Sequence, residues 1–352
     1  MRKRIAFVTN NLTGGGAERV VSILATQFAE QGIDTSIILM TEGERTYFIS
    51  PKVRTIDAYC PIKSWKVLWH IKRLVSLRKA IKKSKADTII SFIWDTNLKV
   101  ILSTIGMRKK IIISERADPA AYYQKLSFRF GRKYIYPKAD AIVFQTDEAK
   151  SYYLKTSRQK QVVIVNPVER APEFEGKRDK RIVAVGRLTE QKNYKLLIDA
   201  FFMFYQSHKD YILEIYGSGP KDGELKAYVK ELDLESAVIF KGYATDVKEK
   251  ILSAGVYVNS SDYEGISNAM LEALAMGIPS VCTDCPVGGA RAVIENGING
   301  ILVPVNNKEA LVDAVCRLVD DSELSKSIST KARLIGDKYS AEHIANEWIA
   351  LC

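Results

Sequence analysis

The chain reads as α/β, with two doubly wound parallel-sheet domains facing one another across a cleft. Short apolar strands alternate with helical stretches along the whole length. The strands are continuous apolar runs, as in Ile5-Ala6-Phe7-Val8, which suits parallel strands covered on both faces. A polar stretch at 166–180, holding Pro167 and Pro172, separates two such series.

The 352 residues suffice for two domains with full cores. In the first series strands are expected at 4–9, 33–40, 87–92, 110–114, 140–145 and 161–165, with helices near 16–31, 65–84, 122–137 and 147–155. The basic start followed by apolar residues has the look of a signal peptide. Thr9-Asn10-Asn11 ends the apolar run too early for one. A first strand is expected instead, and with it a cytoplasmic protein. The second series begins afresh at Arg181. Its strands are expected at 181–187, 211–216, 237–240, 255–259, 279–283 and 299–303, and its helices near 193–207, 221–232, 245–252, 267–276, 288–295 and 307–320. The helix at 267–276 has Ser267 as N-cap, helix formers from Ala269 to Met276, then Gly277 and Pro279 to stop it. The domains are thus 1–170 and 171–337, followed by a last helix near 338–352.

Charge divides unevenly. Residues 1–170 hold 31 Lys/Arg against 14 Asp/Glu, and residues 171–352 hold 21 against 27. A polyanionic surface partner is expected on the first half only. No apolar run nears the ~20 residues that cross a bilayer. The cysteine count of 5 is odd, which argues against a disulfide framework. Cys282 and Cys285 form a C-x2-C pair without a second pair, and His70, His208 and His343 lie far apart. Ordinary thiols at a strand end outweigh a zinc or redox site. With no D-x-D triplet either, no metal or cofactor is implied.

Two cations follow the strand at 181–187: Arg187, then Lys192 just before the helix at 193–207. Arg offers a planar fork and Lys a point charge, so the pair suits a diphosphate, against the plainer reading of a solvated basic loop. Downstream, Glu264 stands on the loop Glu264-Gly265-Ile266-Ser267, and Glu272 lies in the helix that follows. One acid on a loop and one in the first helical turns face amides that favour anions. Gly14, Gly15 and Gly16 lie between the first strand and helix, where backbone amides can approach a ligand closely. They do not form G-x-G-x-x-G, so a dinucleotide fingerprint is absent. Arg19 either leans toward the cleft or, on the plainer reading, is an ordinary helix charge. Gly217 and Tyr243 end two further strands, where ligands collect and where turns also occur.

The E-x7-E spacing of Glu264 and Glu272, and Gly186-Arg187-Leu188 with Lys192-Asn193, resemble the signatures of the retaining glycosyltransferases of family 4. That family has the GT-B fold, two Rossmann-like domains. The resemblance covers nearly the whole chain and is strongest over 181–305. It implies that Arg187 and Lys192 stabilise a departing nucleotide diphosphate, that Glu264 lies by the donor sugar, and that Glu272 holds the ribose. It also implies that the last helix packs back on the first domain. Many members carry a His after the fourth strand. Here the segment is Ser114-Glu115-Arg116-Ala117-Asp118-Pro119, so that role is not carried over. Glu115, with Arg116, either binds sugar or acceptor hydroxyls or forms a structural ion pair.

The stretch 63–85 holds nine Lys/Arg and no acid, with Trp65, Leu68, Trp69 and Val75 at roughly helical spacing. A helix of this kind lies on an anionic membrane, or buries its Trp and Leu and wets its lysines. Arg129, Arg132, Lys133 and Lys138 extend the patch. The rival partner is nucleic acid, for which no recognised motif is present.

The expected function is metal-independent, retaining transfer of a hexose or N-acetylhexosamine from a nucleotide-sugar donor, UDP-linked, to a polyprenyl-diphosphate-linked saccharide acceptor. The expected place is the inner face of the cell membrane, in capsule, O-antigen or related glycan synthesis. A sugar-nucleotide epimerase or phosphorylase, or a non-catalytic sugar-nucleotide-binding subunit, shares the architecture.

Overall fold

The structure, a computed structural model, describes residues 3–43, 46–61, 66–116, 118–119, 126–153, 160–172 and 174–352. The chain divides into two compact units, 1–167 with 341–352, and 168–340. The division falls after Pro167, within the polar stretch, so most of that stretch belongs to the second unit.

Unit 1 is built on a seven-stranded sheet. Its strands are β1 (Arg4–Thr9), β2 (Asp34–Leu39), β3 (Arg54–Asp57), β4 (Thr88–Phe92), β5 (Lys110–Ser114), β6 (Ala141–Phe144) and β7 (Lys160–Val163), in the order β3-β2-β1-β4-β5-β6-β7. Every pairing is parallel. Ile5, Ala6, Phe7 and Val8 are all buried, as expected of a strand covered on both faces. The helices are α1 (Gly16–Glu30), α2 (Lys66–Ser84), α3 (Trp94–Thr104), α4 (Leu126–Phe130) and α5 (Asp147–Ser151). After α4 the backbone widens to a π-helical turn at Gly131–Ile135 and tightens to a 3-10 turn at Tyr136–Lys138, so the helix expected at 122–137 is regular over only part of its length. Residues 122–125 and 154–155, inside two expected helices, lie outside the described residues, as do Lys63 and Trp65.

Unit 2 has a six-stranded parallel sheet: β8 (Arg181–Val185), β9 (Ile212–Tyr216), β10 (Val238–Gly242), β11 (Val256–Asn259), β12 (Ser280–Thr283) and β13 (Ile301–Val303), ordered β10-β9-β8-β11-β12-β13. Its helices are α6 (Tyr194–Tyr205), α7 (Asp222–Glu231), α8 (Val247–Ile251), α9 (Asn268–Ala275), α10 (Lys308–Asp320) and α11 (Ser322–Lys338). The core gathers the inner faces of α6 and α10, among them Leu197, Phe201, Phe204 and Leu311, over Ile182, Leu213 and Val258 of the sheet. The last helix, α12 (Ala341–Ile349), belongs to unit 1. There Trp348 is fully buried beside Phe92, with ring centroids 5.4 Å apart, and Lys3 Nζ donates to Ile349 O.

Three elements escape the periodicity. β3 is short and has only one fully buried residue, Ile56. α3 buries Thr96, Asn97, Ser103 and Thr104, so its inner face is partly polar. α11 buries only Ile328, Ala332, Ile335 and Gly336, a narrow stripe in a polar sequence. The helix expected at 288–295 is overturned: the segment runs as successive turns. A Cβ on Gly289 would stand 1.8 Å from Gly265 O, so the segment is shaped by its close approach to another loop.

Candidate active site

In each sheet the strand order reverses at one point, between β1 and β4 in unit 1 and between β8 and β11 in unit 2. Crossover connections leave such a point in opposite directions and open a crevice at the carboxyl ends. In unit 2 the two loops at that crevice are the loop after β8, with Arg187 and Lys192, and the loop after β11, with Glu264.

These loops are joined directly. Lys192 Nζ lies 2.8 Å from Glu264 Oε1 and 2.6 Å from Oε2. The Lys192 and Glu264 side chains are 12% and 18% exposed, so the pair is shielded from the screening that weakens surface ion pairs. Ser261 Oγ donates to Glu264 Oε2 at 2.9 Å, and Asn259 Nδ2 reaches the same oxygen at 3.4 Å. Further bonds lace the loops. Gln191 Nε2 donates to Tyr263 O at 2.8 Å, Ser260 Oγ to Lys192 O at 2.9 Å, and Asn193 Nδ2 to Asp262 Oδ1 at 2.7 Å. Asn193 also caps α6, its Oδ1 accepting from Leu196 N. The turn that aims Lys192 is therefore fixed from both sides.

Arg187 is exposed and carries no ion pair among the described residues. The Lys192 side chain runs across Gly186, with Cε 3.0 Å from where a Cβ would stand. Gly217, at φ +141°, presses on the same turn, where a Cβ would meet Gly186 O at 1.8 Å, and Leu188 N donates to Ser218 O. Gly217 thus supports the Arg187 turn by close backbone packing. Tyr243 is exposed at the end of β10, two strands from β8. Neighbouring strands lie about 4.8 Å apart, so Tyr243 stands toward the edge of this site.

On the other side of the crevice Ser267 caps α9, its Oγ accepting from Met270 N. Ile266, Ser267 and Glu272 are buried, and Gly265 is partly so. Glu264 N donates to Pro286 O at 3.0 Å. Tyr194, Tyr257, Cys282 and Cys285 surround the carboxylate. Burial pushes all four upward, Cys285 to about 12, and the negative charge of Glu264 adds to each. They stay protonated, so these thiols are inert as nucleophiles. Both cysteines are free.

The candidates of unit 1 form two groups. Gly14, Gly15 and Gly16 follow β1, and Gly15 is the N-cap position of α1. The Glu18 carboxylate folds back over this turn, and a Cβ on Gly15 would meet its Oε2 at 2.0 Å. An acid of the first helical turn therefore lies close to this turn, at the helix end that favours negative charge. Arg19 lies with its guanidinium carbon 5.9 Å from the Tyr47 ring centroid.

Glu115 follows β5 and is buried. Its Oε1 accepts from the Tyr136 hydroxyl and from Asn97 Nδ2 at 3.1 Å. Burial pushes its carboxyl up to about 7, against these bonds and the Arg116 charge, which pull it down. No ion pair joins Glu115 to Arg116 among the described residues. Arg116 instead lies over the adjoining rings of Phe92 and Trp348, 4.8 and 5.6 Å from their centroids, and Nη1 donates to Asn166 Oδ1. Its Nε and Nη2, the side-on fork of the guanidinium, are buried without a hydrogen-bond partner among the described residues.

Periodicity pointed to neither Asn259 and Ser261, which hold Glu264, nor Asp262 and Asn193, which tie the loops. A signal was present: Asn259-Ser260-Ser261-Asp262 is a polar run directly after an apolar strand, and Ser260 and Ser261 are buried.

The family comparisons agree with this architecture. Residues 165–335 match the family model described as Glycosyl transferases group 1, and residues 14–171 match that of Glycosyltransferase Family 4. A Campylobacter jejuni protein named as the α-1,4-N-acetyl-D-galactosaminyltransferase of GalNAc-α-(1→4)-GalNAc-α-(1→3)-diNAcBac-PP-undecaprenol is 28% identical over 360 residues, covering 99% of this chain and 98% of that protein. The amylovoran biosynthesis glycosyltransferase AmsD of Erwinia amylovora is 24% identical, covering 99% of each. Among solved structures, sucrose-phosphate synthase from Thermosynechococcus elongatus superposes with a TM-score of 0.84 at 20% identity, over 99% of this chain and 98% of that one. Anabaena HepE in complex with UDP gives 0.80 at 15% identity, over 99% of each. The function this supports is sugar transfer in polysaccharide or glycan biosynthesis. With two parallel-sheet units and family models that together span 14–335, the chain belongs to the family 4-type glycosyltransferases of the GT-B fold.

Proposed function

We propose that this protein is a retaining, metal-independent transferase that moves a hexose or N-acetylhexosamine from a UDP-sugar to a polyprenyl-diphosphate-linked saccharide. The observation that carries this is the Lys192–Glu264 pair at the carboxyl edge of unit 2, beside the exposed Arg187. A diphosphate brings two or more negative charges to compete for Lys192. As it takes Lys192 Nζ, Glu264 is released to accept hydrogen bonds from the donor sugar. Arg187 supplies a second cation by its planar fork. When the anomeric C–O bond breaks, its electrons pass to the diphosphate, and Arg187, Lys192 and the amides at Gly265–Ser267 hold that charge. The acceptor hydroxyl attacks the anomeric carbon from the same face, and the leaving phosphate oxygen takes its proton. Glu264 orients the sugar by these hydrogen bonds and forms no bond to carbon in this step. Glu272, the second acid of the E-x7-E spacing, is assigned to the ribose, and Gly217 and Tyr243 to the nucleotide's edge. Gly14–Gly16, Glu115 and Arg116 are assigned to the acceptor and donor sugar.

The acceptor class rests on the C. jejuni relatives, whose names carry undecaprenyl diphosphate, and on the surface of unit 1. Ile71 and Val75, one turn apart on α2, are 53% and 47% exposed, and Lys72, Lys79, Lys82 and Lys83 on the same helix are exposed too. Trp69 is held inward, its Nε1 donating to Cys60 O at 3.3 Å with Arg73 over its ring. Leu77 and Ile81 are buried, so α2 is half embedded and half outward. Phe130 and Tyr134 add a second exposed apolar pair, this one aromatic, beside Arg129 and Lys133. Among the described residues no helix is long and apolar enough to cross a membrane. Exposed apolar side chains set among lysines match an anionic membrane surface, here the inner face of the cell membrane, in capsule, O-antigen or related glycan synthesis.

The test is a thermal-shift panel of UDP-, GDP- and ADP-sugars and NAD, followed by product analysis. UDP-sugars are expected to raise the Tm, EDTA to leave the rate unchanged, and the product to keep the donor's anomeric configuration. Equal shifts with NAD and none with UDP would refute the proposal.

A further inference from the structure

Unit 2 holds a cavity of about 970 Å³ at the opposite edge of its sheet from Arg187, Lys192 and Glu264. Asp179, Tyr211 and Gly255 line it, and these residues precede β8, β9 and β11. The polar stretch 170–179 forms one wall and α11 another. The volume lies at the upper end of the range for small-molecule sites.

Its charge runs against its surroundings. Residues 171–352 hold more acids than bases, yet five cations line this cavity: Arg170, Lys177, Arg178, Lys326 and Arg333. Two acids, Asp179 and Asp337, oppose them. Asp179 is already neutralised, paired with Arg181 at 2.7 Å and accepting from Ser253 Oγ. Arg178 is committed to the fold. Its Nη1 donates to the carbonyls of Leu252 and Ala254, its Nη2 to those of Met276 and Gly277, and it lies over the Phe174 ring. Arg170, Lys177 and Lys326 carry no ion pair among the described residues, so with Asp337 counted against them the lining remains net positive.

The rest of the lining is suited to hydroxyls. Ser329 Oγ donates to Gly277 O and accepts from Arg178 Nη2, and Thr330 Oγ1 donates to Lys326 O, so each oxygen keeps a lone pair to accept. Ser322 and Ser325 add two more hydroxyls, and Phe174 and Tyr211 add aromatic side chains to the lining. Inorganic phosphate would fill a small part of this volume. We infer that the cavity binds a phosphorylated saccharide of one or two rings, at a site separate from the one proposed for the donor.

Isothermal titration of the full chain with glucose 6-phosphate, in the presence of saturating UDP, tests this. One equivalent is expected to bind. The double variant K177E/K326E, two exposed lysines, should weaken binding at least tenfold while its affinity for UDP stays unchanged. Ser325→Trp, which fills the cavity, should abolish binding without lowering UDP affinity. Absence of binding to the wild type, displacement of the sugar phosphate by UDP, or equal affinity in both variants would each overturn the inference. This outcome is independent of the donor assignment, because UDP affinity is read in the same experiment.

Discussion

Lys192 and Glu264 stand 72 residues apart in the chain, yet one ammonium group touches both oxygens of one carboxylate, at 2.8 and 2.6 Å. The pair joins the loops after β8 and β11 at the point where the strand order reverses. Removing one partner leaves the other charge shielded from water without compensation. Lys192→Ala is expected to lower stability by about 2 kcal/mol, to reduce transfer at least a hundredfold, and to shrink the Tm gain from UDP. Glu264→Gln should keep UDP binding and lose rate. In the double variant the losses should fall well short of additive, because both changes remove the same contact. Additive losses would show that the residues act separately.

Arg187 behaves differently, because it is exposed and carries no ion pair among the described residues. Arg187→Ala should leave the midpoint of denaturant unfolding within about 0.5 kcal/mol of wild type. Its effect should appear in UDP affinity, as a loss of about tenfold or more from one charge-assisted contact. Unchanged UDP binding in calorimetry would remove Arg187 from the site.

Gly289 is sensitive for a steric reason. A methyl group there would lie 1.8 Å from Gly265 O, on the loop that carries Glu264. Gly289→Ala is expected to displace that loop and lower kcat more than UDP affinity. Gly223→Ala is the control: it lies in α7 with nothing within 4 Å of the added carbon, and should stabilise the protein by up to about 1 kcal/mol.

Glu115 makes the stability of the protein depend on pH. Its folded-state pKa, about 7, is raised above the ordinary 4.5. The folded protein therefore binds a proton that the unfolded chain has released. Stability is lost as pH rises between these values, and the loss is complete above the folded pKa, up to about 3 kcal/mol. Urea unfolding from pH 5 to 8 should show this decline in the wild type and a flatter profile in Glu115→Gln. Parallel profiles would show that Glu115 is not the titrating group.

The membrane reading turns on two apolar side chains rather than on Trp69. Co-sedimentation with vesicles containing phosphatidylserine should fall several-fold for I71D/V75D, with the thermal midpoint little changed, because both residues are exposed. Binding by the variant equal to wild type would move the contact elsewhere.

The α/β class, the parallel strands and the four residues Arg187, Lys192, Glu264 and Glu272 were legible in the chain. Buried parallel strands write themselves as unbroken apolar runs; Arg187, Lys192 and Glu264 stand on the loops after those runs, and Glu272 in the helix that follows one of them. α3 and α11 were not legible, because their inward faces carry Asn97, Ser103 and Thr104 in one case and only a few small apolar residues in the other. Nor was the turn structure at 288–295, which Gly289 takes from its contact with Gly265. Local pattern reports which side of a segment avoids water. It does not report which distant loop meets it. The pairing of Lys192 with Glu264, the raised carboxyl of Glu115 and the cationic cavity under α11 all depend on such meetings. Each arises when strands far apart in sequence become neighbours in a sheet, and burial then strengthens the charges they bring together.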